Sequence, residues 1–195
     1  MIPVFTLAVF VLLNHGEPFV VGADASTSYT VNITREALRE YIDDIGLFQR
    51  NMPGVVGVTS LGGVRYLYQT EKQVPLAAAM KTDFVIGKSA LSDSVTVYES
   101  VDPDDPNYMF CRVMISPLDS LRTAIQIVLR LKLTRESGSE IHWLAPILGS
   151  DFMSNQMSDD LNDMLQEFVQ RSNQELYARL TTATARRADT ESASE

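Results

Sequence analysis

The residues of this chain that could do chemistry are few. The tightest polar cluster is Glu140-Ile141-His142-Trp143, which sets a carboxylate and an imidazole two positions apart. Such a pair could work as acid and base, or share a metal ion. Zinc sites take three or four ligands, and the only other histidine, His15, lies in an apolar N-terminal run. No metal and no cofactor is therefore expected. The cluster reads as a polar anchor where a strand passes into a helix. The lone cysteine, Cys111, sits in the apolar run YMFCRVMI, which suits a buried small hydrophobe better than a nucleophile. Glu71, Lys81, Asp83, Glu99 and Arg112 fall within strand patterns and are expected on the solvent face. The other reading turns one of them inward to orient a ligand. No nucleophile elbow, phosphate loop or Ser/His/Asp spacing occurs.

Apolar side chains give a second kind of candidate. Tyr66, Tyr68, Met80, Phe84, Ile127, Leu129, Leu131, Met153, Met157 and Met164 are expected to line a cavity for an apolar ligand. Thioether chains adapt to varied apolar shapes. The competing reading of each is ordinary core filling.

The elements that must position these residues follow from periodicity. Phe19, Val21, Ala23, Ala25, Thr27, Tyr29 and Val31 share one parity, which predicts a half-buried strand over 19–33. Thr34 is an N-cap for a helix carrying Leu38, Tyr41, Ile42 and Ile45, and Leu47 to Asn51 suggest a second short helix. Six strand-like segments follow: Val55–Leu61, Val64–Gln73, Ala78–Gly87, Ser94–Val101, Tyr108–Ser116 and Leu121–Arg135. Gly62-Gly63 fits a tight hairpin turn. Short connections favour an antiparallel meander. In the last strand Leu121, Thr123, Ile125, Ile127, Leu129, Leu131 and Leu133 share a face, so the sheet is covered on one side. The cover is a long helix from about Pro146 to Leu180. Its apolar stripe is Ile147, Leu148, Phe152, Met153, Met157, Leu161, Met164, Leu165, Phe168 and Leu176. Asp159, Asp163 and Glu167 form its outward acidic edge. From Thr181 the apolar period is lost, and 181–195 reads as a disordered tail.

Composition bounds the partners. The chain has 195 residues, 45% hydrophobic and 21% charged, with a net charge of −9. That fits one domain, 19–180, with a substantial core. The acidic balance excludes a nucleic-acid partner, which needs clustered Lys and Arg. A single cysteine excludes an intramolecular disulfide. Ile2 to Leu13 is too short for a comfortable membrane span. It resembles the core of an export signal, with Ala23-Asp24-Ala25 as a small-residue cleavage site. The first strand runs through that site, and no Lys or Arg precedes Arg35. Residues 1–18 keep three readings: a start-site artefact, an uncleaved anchor touching a membrane, or an export signal. The expected location is cytoplasmic, with export or anchoring through 1–18 as the alternative.

The order of strand, two short helices, six strands and one long C-terminal helix resembles the helix-grip fold of the START/Bet v 1-like superfamily. That group is also called SRPBCC or polyketide cyclase/lipid transport. YTVNITREALREYIDDIGLFQRNMPGVVGVTSLG resembles its opening, and RTAIQIVLRLKL with WLAPILGSDFMSNQMSDDLNDMLQEF resembles its close. The resemblance covers about 19–180. It implies an α+β fold: a curved antiparallel sheet of about seven strands wrapped around the C-terminal helix, with a hydrophobic cavity between them. The function expected first is binding or carriage of a hydrophobic small molecule, such as a lipid, isoprenoid, quinone or polyketide. One alternative is a cyclase or hydratase using a cavity carboxylate or tyrosine. Another is an accessory module of a membrane or respiratory complex.

Overall fold

A computed structural model describes residues 17–73, 79–142 and 144–192, with side chains described to Arg179. The expectations for residues 1–16, for Ala78, for Trp143 and for 193–195 lie outside the described residues.

Strand β1 (Phe19–Val31) is followed by two short helices, α1 (Arg35–Asp43) and α2 (Ile45–Arg50). Thr34 caps α1 by accepting from the Ala37 amide, and Asp44 caps α2 by accepting from the Leu47 amide at 3.1 Å. Six strands come next: β2 (Val55–Gly62), β3 (Arg65–Lys72), β4 (Met80–Ser92), β5 (Val95–Ser100), β6 (Asn107–Pro117) and β7 (Thr123–Arg135). They form one open seven-stranded sheet in the order β1-β7-β6-β5-β4-β3-β2, antiparallel throughout. The two helices carry the chain from one edge of the sheet to the other, and the meander brings it back beside β1. At the β2–β3 turn Gly62 and Gly63 take φ of 95° and 61°, a left-handed backbone that side-chain-bearing residues rarely adopt.

Parity works as the sequence implies. Val21, Ala23 and Ala25 on β1, Met109, Cys111 and Val113 on β6, and Ile125, Ile127 and Leu129 on β7 are all buried on one face. Leu121 is the exception. It precedes β7 and is exposed, because the turn there ends the alternation before the strand begins. The register pairs Ala25 with Leu129 and Leu129 with Cys111, so inward side chains form rows across the sheet.

The expected single helix from Pro146 is two. Helix α3 (Ala145–Leu148) stops at Gly149, whose φ is 85°, and α4 (Ser150–Ser192) starts afresh. This positive φ turns the chain where an α-helical residue would carry it straight on. Ile147, Leu148 and Phe152 around this turn are exposed, although all three belong to the expected apolar stripe. Farther on, Leu161, Leu165, Phe168 and Leu176 are buried against the sheet. Helix α4 is also helical through Ser192, where a disordered tail is expected from Thr181. Propagating a helix already nucleated by packing costs little, and TTATARRADTES holds no Gly or Pro to stop it.

Side-chain bonds seat α4 on the sheet and on the end of α2. The Gly22 amide donates to Ser154 Oγ at 3.2 Å, and the Tyr29 and Ser172 hydroxyls are 3.2 Å apart. Asn51 bonds Glu175, and Lys72 pairs with Asp160. Among the described residues no helix is long and apolar enough to cross a membrane.

Candidate functional site

The groove between sheet and α4 is packed at one end and hollow at the other. The packed end lies under α1 and α2. Phe48 stacks on Tyr98 with ring centroids 5.7 Å apart and meets Phe168 edge-on at 5.2 Å. Tyr41 closes on Phe48 edge-on at 6.1 Å. The Tyr98 hydroxyl donates to the Ile42 carbonyl at 2.6 Å, satisfying its one polar group in the core. Leu38, Ile42 and Ile45 fill the space around this plug.

Beyond the row of Cys111 and Leu129 the groove opens into a cavity of about 710 Å³. Its wall combines Val21 of β1, Tyr68 of β3, Met80, Thr82 and Phe84 of β4, Met109 and Cys111 of β6, and Leu129, Leu131 and Leu133 of β7. Helix α4 adds Met153, Met157, Leu161 and Met164, and Gln49, Met52 and Pro53 close the inner corner. Six of the eight methionines in the chain line this one space: Met52, Met80, Met109, Met153, Met157 and Met164.

Of the ten sequence-derived candidates, the structure brings eight into the wall: Tyr68, Met80, Phe84, Leu129, Leu131, Met153, Met157 and Met164. Tyr66 and Ile127 do not line it. Each points to the correct face but lies one inward position too far along its strand. Tyr66 pairs with Ile86, and Ile127 with Val113, in the packed half. Alternation reports which face a residue takes, not where along the strand the hollow ends.

The mouth is polar. Glu71, Lys72, Gln73, Gln156, Asp160, Asp163 and Glu167 rim it. The Lys72–Asp160 pair spans from β3 to α4 there. Of Glu71, Lys81, Asp83, Glu99 and Arg112, Glu71 alone lines the cavity, at its rim, where it pairs with Lys81 at 3.6 Å. Asp83 is exposed, and Glu99 accepts from the Tyr108 hydroxyl at 2.6 Å on the outer face. Arg112 is half-buried on that face, its Nε without a partner among the described residues. His142 and Ile141 also border the cavity. Glu140 turns away: its carboxylate accepts from the Ser137 amide at 2.9 Å in a capping box around the short 3-10 turn Gly138–Glu140. The carboxylate and imidazole of the cluster therefore have separate tasks. Among the described residues no group of His, Cys, Asp or Glu is arranged to hold a metal.

Four buried polar side chains among the described residues stand in the wall: Tyr68, Cys111, Thr82 and Gln49. Burial raises the Tyr68 phenol well above its ordinary range, and it pushes the Cys111 thiol up to about 12. Both stay neutral near pH 7. Gln49 is buried with its amide nitrogen lacking a partner among the described residues. Sequence reasoning missed it. The available signal is its position four residues after Ile45, on the buried face of a short apolar helix.

No family model matches this chain, and no curated protein does. Solved structures do. A START superfamily protein from Mycobacterium smegmatis superposes with a TM-score of 0.59 at 13% identity, covering 80% of this chain and 97% of that one. A conserved protein from Geobacillus kaustophilus gives 0.54 at 11%, covering 80% and 95%. The di-domain ARO/CYC StfQ of the steffimycin biosynthetic pathway gives 0.53 at 12%, covering 83% of this chain and 52% of that one. The fold is the START-like helix-grip fold: an open antiparallel sheet of seven strands with a long C-terminal helix.

Proposed function

We propose that this START-like helix-grip chain binds a hydrophobic small molecule in the cavity between its sheet and α4. The observation that carries this reading is the 710 Å³ hollow walled by six methionines. That volume suits a ligand of drug or lipid-fragment size. Flexible thioethers let one wall fit several apolar shapes. Affinity comes from apolar burial, at about 25 cal/mol per Å² before ordering costs. Lipid, isoprenoid, quinone and polyketide-like molecules all meet this description.

Binding is favoured over catalysis by the chemistry of the wall. General acid–base work wants a group whose pKa lies near the working pH. Burial drives Tyr68 and Cys111 the other way, the carboxylates that border the cavity stand at its rim, and the His142 imidazole at the cavity border is engaged through Nδ1, which accepts from the Leu144 amide at 3.1 Å.

Native mass spectrometry of gently purified protein, followed by organic extraction, tests the proposal. A co-purifying apolar molecule is expected, together with binding of the fluorescent probe anilinonaphthalene sulfonate. A Met157→Trp variant, which fills the hollow, should lower probe affinity at least about tenfold. Protein that carries no small molecule and binds no apolar probe sinks the reading.

A further inference from the structure

We infer that the cavity selects a ligand bearing a neutral carbonyl oxygen, which accepts a hydrogen bond from the Gln49 amide at the inner end. The inference rests on the cavity being a site for apolar ligands. Gln49 is 1% exposed, lines the cavity and leaves its Nε2 without a partner among the described residues. A buried amide N–H left unpaired is costly, and native structures pair nearly all of them. A ligand oxygen at this point recovers the bond, whereas a pure hydrocarbon leaves it unmade. The backbone that carries the donor is held in place. Asp44 caps the first turn of α2, the Gln49 carbonyl accepts from the Met52 amide at 3.0 Å, and the neighbouring Phe48 is locked between Tyr98 and Phe168. An anchored backbone leaves only side-chain torsions to be ordered on binding, which lowers the cost of the bond.

The chemistry favours a neutral acceptor. No cation lines the inner end among the described residues, and Lys72 at the mouth is already paired with Asp160. A carboxylate placed beside Gln49 would be desolvated without a counter-charge. A ketone, aldehyde, ester or quinone oxygen carries no such penalty.

The test uses benzophenone and diphenylmethane, which differ only in C=O against CH₂, as competitors for bound anilinonaphthalene sulfonate. In Gln49→Met, nearly isosteric but without the amide, the affinity ratio of ketone to hydrocarbon is expected to fall about tenfold from its wild-type value. A second measurement needs no variant. Infrared spectra of isotope-labelled benzophenone bound to wild-type protein should place the carbonyl band below its position in hexane. The inference is overturned if the band stays at the hexane position or the ratio is unchanged in Gln49→Met. It is equally overturned if Tyr68→Phe alone abolishes the band shift, since the donor is then the phenol. If wild-type protein binds no probe at all, the apolar-ligand reading itself fails, and with it the role of Gln49; if it binds probe that neither compound displaces, the role of Gln49 alone is overturned.

Discussion

Cys111 shows how one residue's surroundings set its chemistry. Its thiol is buried between Tyr98 and Leu129 in the sheet register, and burial lifts its pKa from 9.0 to about 12. A rise of that size cuts the thiolate fraction near pH 8 about a thousandfold. Native protein should therefore react with an aromatic disulfide reagent far more slowly than protein in urea. Equal rates in the two conditions would show that the cavity exposes a reactive sulfur. The linkage has a definite sign. The folded pKa exceeds the unfolded value, so this stabilisation is complete below about pH 9 and is lost as pH rises toward 12. Gln49 stands at the same scale. Its type gives no motif to recognise, and its lack of a partner among the described residues is visible only in the fold.

At the scale of elements, α4 does two jobs along its length. Phe168 is fully buried against the aromatic plug, and Phe152 lines the cavity while half exposed. Substituting each separates packing from binding. Phe168→Ala should cost about 3–5 kcal/mol in urea-induced unfolding, the usual cost of a large core deletion. Phe152→Ala should change stability by less than about 0.5 kcal/mol while weakening apolar probe binding. Similar stability losses for both would mean that the helix is uniformly packed and the division into plug and cavity is mistaken. Most elements were legible in the sequence because period-two and helical spacings differ plainly. The break at Gly149 was not. A glycine inside an apolar stripe is compatible with a continuous helix, and only its φ of 85° shows otherwise.

Across the whole molecule, buried phenols tie stability to pH. Burial raises Tyr29 to about 12, and Tyr41, Tyr68 and Tyr98 are also raised, chiefly by desolvation. Each phenol ionises more readily in the unfolded chain, near 10, than in the fold. Their contribution is therefore whole below pH 10 and drains away as pH climbs through 12. The urea midpoint should stay level from about pH 7 to 9 and drop above 10. Tyrosinate absorbance from the buried rings should appear together with unfolding rather than before it. A midpoint unaffected by alkaline pH, or early ionisation of all tyrosines in folded protein, would contradict this.

What the sequence determined by itself is the container. Residue types alternating along seven strands, two capped helices and an amphipathic closing helix specify a one-faced sheet and its cover, because local geometry dictates which side chains share a face. The inward face of Tyr68, Phe84, Leu129 and Leu131 follows from strand alternation, and that of Met157 and Met164 from helical spacing. The tertiary structure alone decided where the container is hollow. That depends on how far α1 and α2 push their aromatic plug along the groove, and on which inward rows remain unfilled beyond it. Tyr66 and Ile127 fell on the packed side of that line, while Gln49 came to rest at its edge with an unmet hydrogen bond. Those outcomes are set by distances between segments remote in the chain, which no local period encodes.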